Sequence, residues 1–449
     1  MQAEKYLSAD TEFTPTLLQE YINRHKQKAG RYKTLREAYE NMYPIYAMPP
    51  KEKYKPDNRM SVNFAKYIAD TMNGYFMGVP VKVTHTDETV AKFLDYFDSY
   101  NNQDDNNAEL SKLCDIFGHG IELLYHDEQG EIGVTYVSPE ECFMIYDDSI
   151  LHRPLYAVRY YYDNDGMLYG SFSDSTNVYY FNSGGNYVFS EGEPHHFNGV
   201  PVIEYVENKE KHGIFEDVLS LINAYNKAIS EKANDVDYFA DAYLKILGAK
   251  LDENALKELR SNRIINFEGY DTDKLIVEFL QKPNADTTQE NLINRLEKLI
   301  FHMSMVANIN DENFGNASGI SLEYKLQSMS NLAMTKERKF RAGMNKRYKL
   351  ICSDPGNKLN ADDWLDIDIK FTRNTPKNLL EESQIAGNLA GITSQKTQLS
   401  VLSCVDNVDK EIEQIDGEQD KTQYSTDYPV NRNGENTDDI LATATATAE

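Results

Sequence analysis

The 449-residue sequence has only four cysteines, at 114, 142, 352 and 404, and no two stand as a CxxC pair. That excludes a zinc ribbon and a disulfide framework, and it fits a reducing compartment. No apolar run approaches ~18 residues, so no membrane span is expected. The first residues, MQAEKYLSADTEF, lack an apolar h-region, so no signal peptide is expected. Positive charge is also scarce: 46 Lys and Arg face 72 Asp and Glu, a formal net charge of −26. Proteins that wrap nucleic acid by neutralising phosphates are basic, so that class is disfavoured, local patches aside.

Catalytic motifs are missing too. The sequence holds no GxxxxGK(S/T), no HExxH, no GxSxG and no GxGxxG after a strand. His195-His196 is the one histidine pair, and adjacent residues point apart on regular elements, so a loop pair is the simpler reading and no metal site is expected. Asp147-Asp148, Glu140-Glu141 and Asp362-Asp363 are carboxylate pairs, but among 72 acids a solvated surface explains them. No cofactor is expected.

What the chain does have is apolar and aromatic side chains in quantity. The apolar fraction is 41% and the aromatic fraction 11%, too high for a disordered chain. Tyr supplies 31 of the aromatics and Trp one, which suits half-wet surfaces and interfaces. The length allows two to four domains at roughly 100–200 residues each.

The spacing of apolar residues predicts an α+β, mainly helical chain. A helical stretch over 15–45 precedes a proline-rich loop at 48–59. A helix on Val62 to Phe76 stops at Gly78 and Pro80, and a short strand follows at Val81 to Thr84. From about 120 to 205 the period changes to two. Ile121 to Tyr125, Gly133 to Val137, Tyr156 to Tyr160 and Asn177 to Phe181 read as strands. Turns at Asp127 to Gly130, Asp163 to Gly166 and Asn182 to Gly185 join antiparallel hairpins. A helix of roughly 50 Å is expected over 213–247. A small mixed segment at 249–288 follows, with a helical piece at Glu253 to Ser261 and strands at Ile264 to Phe267 and Lys274 to Leu280. A second helix covers 289–308, and a third 320–352 after a polar gap. One strand is expected over Leu365 to Phe371, then acidic helical stretches at Leu379 to Ala390 and Asp406 to Ile415. Residues 417–449 read as a disordered acidic tail.

One run opposes the global charge. Lys336, Arg338, Lys339, Arg341, Lys346, Arg347 and Lys349 crowd into 14 residues with a single acid, Glu337. Three readings stand for it: phosphate contact, pairing with an acidic neighbour in an oligomer, or a solvated face. The Asn/Gly/Ser segment at 313–319 could cradle a phosphate at the start of the next helix, or be an ordinary interhelical loop.

Several stretches, in order, resemble the portal (head-to-tail connector) proteins of tailed phages, in the branch common in phages of Gram-positive bacteria. They are Asn63 to Asp70 with Tyr75 to Pro80, Gly118 to Tyr125, Val137 to Pro139, and Ala157 to Tyr161. Further on come His196 to Tyr205 leading into Leu221 to Asn226, then Asn310 to Leu326, the most specific, and Gly391 to Thr397 with Asp409 and Glu411 beyond it. Together they cover about residues 30–416.

The resemblance implies a portal fold with wing, stem, clip and crown. Residues 1–212 would form the N-terminal wing, 213–248 the first stem helix, 249–288 the clip and 289–310 the second stem helix. Residues 311–319 would be a tunnel loop, 320–375 the wing long helix and strand, 376–416 the crown and 417–449 the tail. It further implies a ring, usually of twelve subunits, at one capsid vertex, conducting double-stranded DNA through a mostly acidic tunnel. It implies a component of the virion, assembled in the host cytoplasm, and not an enzyme. The partners implied are a terminase large subunit, capsid and scaffolding proteins, and head-completion or tail adaptor proteins. Asn313, Phe314, Asn316 and Ser318 would face DNA. Lys336, Arg338, Lys339, Arg341, Lys346 and Arg347 would contact either a neighbouring subunit or phosphate. Rival readings are a channel-less minor head or adaptor protein and, more remotely, a phosphate-handling enzyme using the 313–319 loop.

Overall fold

A computed structural model describes residues 6–52, 55–184, 187–240, 244–247, 276–279, 286–309, 319–375, 379–402, 404–405 and 408–424. The chain divides into two units, residues 1–374 and 375–449.

The first unit opens with strand β1 (Tyr6–Leu7) and helices α1 (Pro15–Lys26) and α2 (Ala29–Tyr39). The single helix expected over 15–45 is therefore broken, because its two halves serve different cores. Leu18, Tyr21 and Ile22 of α1 pack on a β-sheet, whereas Tyr32, Leu35 and Ala38 of α2 join the main helical core. Pro44 then starts a short 3-10 turn, Pro44–Ala47, which ends the helical path. Helix α3 (Phe64–Met77) follows, with Asn63 accepting from the Lys66 amide as its cap, and then strand β2 (Lys82–Thr84).

Two helices that the sequence pattern left unassigned come next, α4 (Glu88–Asn101) and α5 (Gln103–Phe117). Asp87 caps α4 by accepting from the Thr89 and Val90 amides at 2.8 and 3.2 Å. Asn102, at φ 49°, makes the corner between the two. Gly118, at φ 83°, ends α5 where a Cβ would lie 2.1 Å from the Lys211 carbonyl oxygen.

The expected hairpin region is present. Its strands are β3 (His119–His126), β4 (Ile132–Val137), β5 (Cys142–Asp147), β6 (Pro154–Tyr162), β7 (Leu168–Ser173), β8 (Asn177–Asn182), β9 (Val188–Phe189), β10 (Glu193–Pro194) and β11 (Val202–Val206). They form two sheets. One runs β1-β5-β6-β7-β8-β10, with β9 also on β8, and the other runs β11-β3-β4. All pairs are antiparallel except β1 with β5. Asp127 and Asp163 build matching turns, each side chain accepting from amides two and four residues on. Ile121, Val137, Cys142, Met144 and Val202 fill a small core of their own.

Helix α6 (Leu219–Ala240) follows a 3-10 turn at Glu216–Val218 and is shorter than the 213–247 expected. Leu244–Leu247, read above as the helix end, is instead strand β12, antiparallel to β13 (Ile276–Phe279). Leu244, Ile246 and Leu247 suit a strand as well as a helix, and pairing decides between them. Helix α7 (Asp286–Ser304) and helix α8 (Gly319–Ser353) come next. The strand expected over Leu365 to Phe371 is divided: Asp363–Asp366 is a 3-10 turn and only β14 (Asp368–Lys370) pairs, with β2. The expected elements at Glu253 to Ser261 and Ile264 to Phe267 lie outside the described residues.

The second unit holds α9 (Leu379–Leu389), α10 (Gln395–Ser400) and α11 (Val408–Tyr424). Ser394 caps α10 by accepting from the Thr397 amide. Helix α11 continues to Tyr424, into the stretch from 417 read above as disordered, because charged residues without β-branching sustain helix even where few apolar side chains anchor it.

Candidate functional site

Helices α6 and α7 form an antiparallel pair. Late residues of α6 meet early residues of α7: Lys232 pairs with Glu290, and Gln289 donates to Asp235 at 2.8 Å. At the other end, Phe64 of α3 sits edge-on to both Tyr225 of α6 and Phe301 of α7, at 5.0 and 5.6 Å between ring centroids. Ile222, Ile293, Leu296 and Ile300 are buried in the seam. Strands β12 and β13, which fall between the two helices in sequence, pair antiparallel. Large apolar side chains nevertheless stay uncovered along it: Val236 is 61% exposed, Leu292 51% and Met303 58%.

The foot of α6 is tied down by a polar ladder that sequence reading missed. Asn226, Ser230 and Asn234 recur every fourth residue and are buried. Their side chains accept from the Val62, Met60 and Asn58 amides at 2.8, 2.9 and 2.6 Å. They thereby hold the loop at 58–62 along the helix. The signal was present as an i, i+4, i+8 polar stripe on an otherwise apolar helix face.

Helix α8 holds the basic run, and the structure divides it. Lys336 and Arg347, candidates above for contact with a neighbour or phosphate, are instead 1% and 0% exposed inside their own chain. Lys336 Nζ lies 2.6 Å from Asp115 and 3.1 Å from Glu207, and donates to the Ser111 carbonyl at 3.2 Å. Arg347 grips Glu122 with two nitrogens, at 2.5 and 2.9 Å, and donates to Asn107 at 2.8 Å. Tyr205 also donates to Glu122, at 2.9 Å. Burial pushes the Asp115 carboxyl up to about 8, against the pull of Lys336 and with the repulsion of Glu207. Two carboxylates share one ammonium, so one of them keeps a proton. These pairs fix α8 on α5, β3 and the end of β11, and Gly343 leaves room for the Tyr205 ring, which a Cβ there would meet.

Arg341 is also engaged within the chain, donating to the Ile369 carbonyl and to Glu337. Lys349 lies over the Trp364 ring, 5.7 Å from its centroid. Arg338, Lys339 and Lys346 are left, with no ion pair to their own chain among the described residues. Asn313, Phe314, Asn316 and Ser318 lie outside the described residues.

The other carboxylate and histidine pairs have structural work. His195 is buried, with Nε2 on the Asp174 carbonyl and Nδ1 accepting from the Phe197 amide. Asp147 accepts from Ser149 and the Arg153 amide, Glu140 pairs with Arg36, and Asp363 accepts from the Asn360 amide. Among the described residues no group of three metal-ligating side chains exists, and no helix is long and apolar enough to cross a membrane.

Comparisons with known proteins bear on the whole chain. It is 26% identical over 396 residues to the portal protein of Clostridium phage phiCD119, covering 82% of this chain and 86% of that one. It is 24% identical over 399 residues to the portal protein of Bacillus phage SPP1, covering 83% and 78%. Among solved structures, a chain in the neck of an empty GTA particle, computed with C6 symmetry, aligns at 9% identity and a TM-score of 0.45, over 75% of this chain and 89% of that one. The family model for phage portal proteins of the SPP1 Gp6-like kind matches residues 18–425. By that match, which takes in the hairpin, the basic helix and the flanking sheets, the chain belongs to the phage portal protein family.

Proposed function

We propose that copies of this chain close into a ring, twelve in number, at one vertex of the capsid, and that double-stranded DNA passes through it during packaging and ejection. The observation that carries this reading is the α6–α7 hairpin. Its seam is filled, yet Val236, Leu292 and Met303 stand uncovered on it, and further copies of the same hairpin would bury them. Residues 213–310 then serve as stem and clip, 311–319 as the tunnel loop, and 376–416 as the crown.

The ring is a conduit and not a motor. No phosphate-binding loop is present in the sequence, so the energy comes from a separate terminase ATPase docking on the clip. Capsid, scaffolding and head-completion proteins complete the set of partners, and assembly takes place in the host cytoplasm. A sliding polymer must not be gripped, since each Lys or Arg on a phosphate adds affinity. The stem helices suit that need with a net negative charge: α6 and α7 together carry six acids and four bases.

Electron microscopy of the purified chain tests this directly. Rings with a central hole are expected, and deletion of 249–288 should abolish terminase binding while leaving rings. A chain that stays monomeric under all assembly conditions, in a phage that still packages DNA without it, would remove the reading.

A further inference from the structure

A cavity and a charged face complement one another in chemistry. The cavity, about 100 Å³, is lined by α4, the β3–β4 turn and the residues after α8. Phe93 and Phe97 stack at 6.3 Å on its wall, and Tyr96 and Tyr100 stack at 5.6 Å. Both tyrosines are exposed at its rim, with Glu131 beside Tyr96 and Asp127 accepting from Tyr100. Asp354, 5% exposed, forms part of the floor, with His126 at 3.2 Å. No Lys or Arg is among the described residues that line it. Aromatic faces together with carboxylates make a receptor for a cationic side chain, whose alkyl stem lies along the rings.

The charged face is the solvent side of α8. Arg338, Ala342, Asn345, Lys346 and Lys349 are all exposed there. At 100° per residue, Arg338 projects about 180° from Arg347. Arg347 points toward Glu122 and Asn107, on the side where Asp98 of α4 also lies. The cation-bearing face of α8 is therefore turned away from the side on which α4 builds the cavity. One chain cannot satisfy both patches by itself.

We infer that the α4 cavity receives a cationic side chain, Arg338 or Lys346, from the α8 face of a second copy of this chain. The occupant follows from charge complementarity: an aromatic, acidic cavity without its cation and cations without their acids, on opposite sides of one molecule. Two different complementary patches make a head-to-tail contact, and such contacts close into rings or run on as filaments. A two-fold pair would need the patches on one face. The inference rests on the ring reading and adds the contact that sets its polarity.

The test uses the full chain with Cys404→Ser, since Cys404 is the exposed cysteine and 114, 142 and 352 are buried. Tyr96→Cys and Arg338→Cys are placed in that chain, and a bifunctional thiol reagent of arginine side-chain length is added to assembled protein. Covalent ladders beyond dimer are expected, with neither single variant giving them. Dimers alone, or no product while microscopy shows rings, would overturn the contact and leave the ring reading standing. A parent chain that never assembles would overturn both. As a second measurement, Glu131→Lys or Arg338→Glu should each raise the half-assembly concentration roughly fivefold, and the two together should restore it. Absence of that rescue alongside absent cross-links refutes the pairing even if one cysteine variant folds poorly.

Discussion

Lys336 offers the sharpest test of the buried charges. Lys336→Met keeps most of the volume and removes the ammonium that Asp115 and Glu207 share. All three groups are at most 3% exposed, so water cannot replace the cation. Stranding one member of such a group costs about 3–5 kcal/mol when the orphan stays charged. Asp115, already pushed up to about 8 by burial, holds its proton at neutral pH, so Glu207 is the orphan. The variant should therefore lose about 3–5 kcal/mol at pH 7.5. The sign in the parent follows from the same carboxyl. A raised folded-state value means that the Asp115 contribution is complete below about 3.9 and is lost as pH climbs through about 8. Urea unfolding below the assembly concentration, read by the single tryptophan, Trp364, measures the loss in the variant and the pH dependence of the parent. A loss under about 1 kcal/mol at pH 7.5 would refute a shared, dry ammonium.

Arg347→Lys should cost about 2–3 kcal/mol by the same readout, because one ammonium cannot reproduce the two-nitrogen grip on Glu122 together with the Asn107 bond; a neutral result would show that the fork geometry is dispensable. Gly118→Ala combines φ 83° with a Cβ 2.1 Å from the Lys211 oxygen, so its loss should exceed about 1 kcal/mol, and Gly130→Ala, at the same φ in open space, should cost less. Ser230→Ala should free the 58–62 loop from α6, visible as faster tryptic cleavage after Arg59 by mass spectrometry, and unchanged cleavage would mean that Asn226 and Asn234 suffice.

The hairpin region was legible because its strands alternate and its turns are built by Asp and Gly, both local signals. Helix ends were less legible. Leu244–Leu247 reads equally well as helix or strand, and only pairing with Ile276–Phe279, some thirty residues on, decides. The break between α1 and α2 has the same origin: the two halves bury their apolar faces in different cores. Asn226, Ser230 and Asn234 carried a periodic signal, but their partners are backbone amides of a distant loop, which no side-chain pattern announces.

The basic run shows why a charge cluster in sequence is not a charge cluster in space. A helix distributes consecutive residues around its axis, so seven cations in 14 residues face every direction. Lys336 and Arg347, eleven residues apart, share the buried side and complete acidic sites contributed by α5, β3 and the end of β11. Arg338 lies opposite, with no ion pair among the described residues. The same argument applies to the acids: Asp115, Glu122 and Glu207 are scattered in sequence, and they are neutralised inside the fold by this one helix. Within a chain of net charge −26, a cationic face on α8 is a specific address for an acidic neighbour.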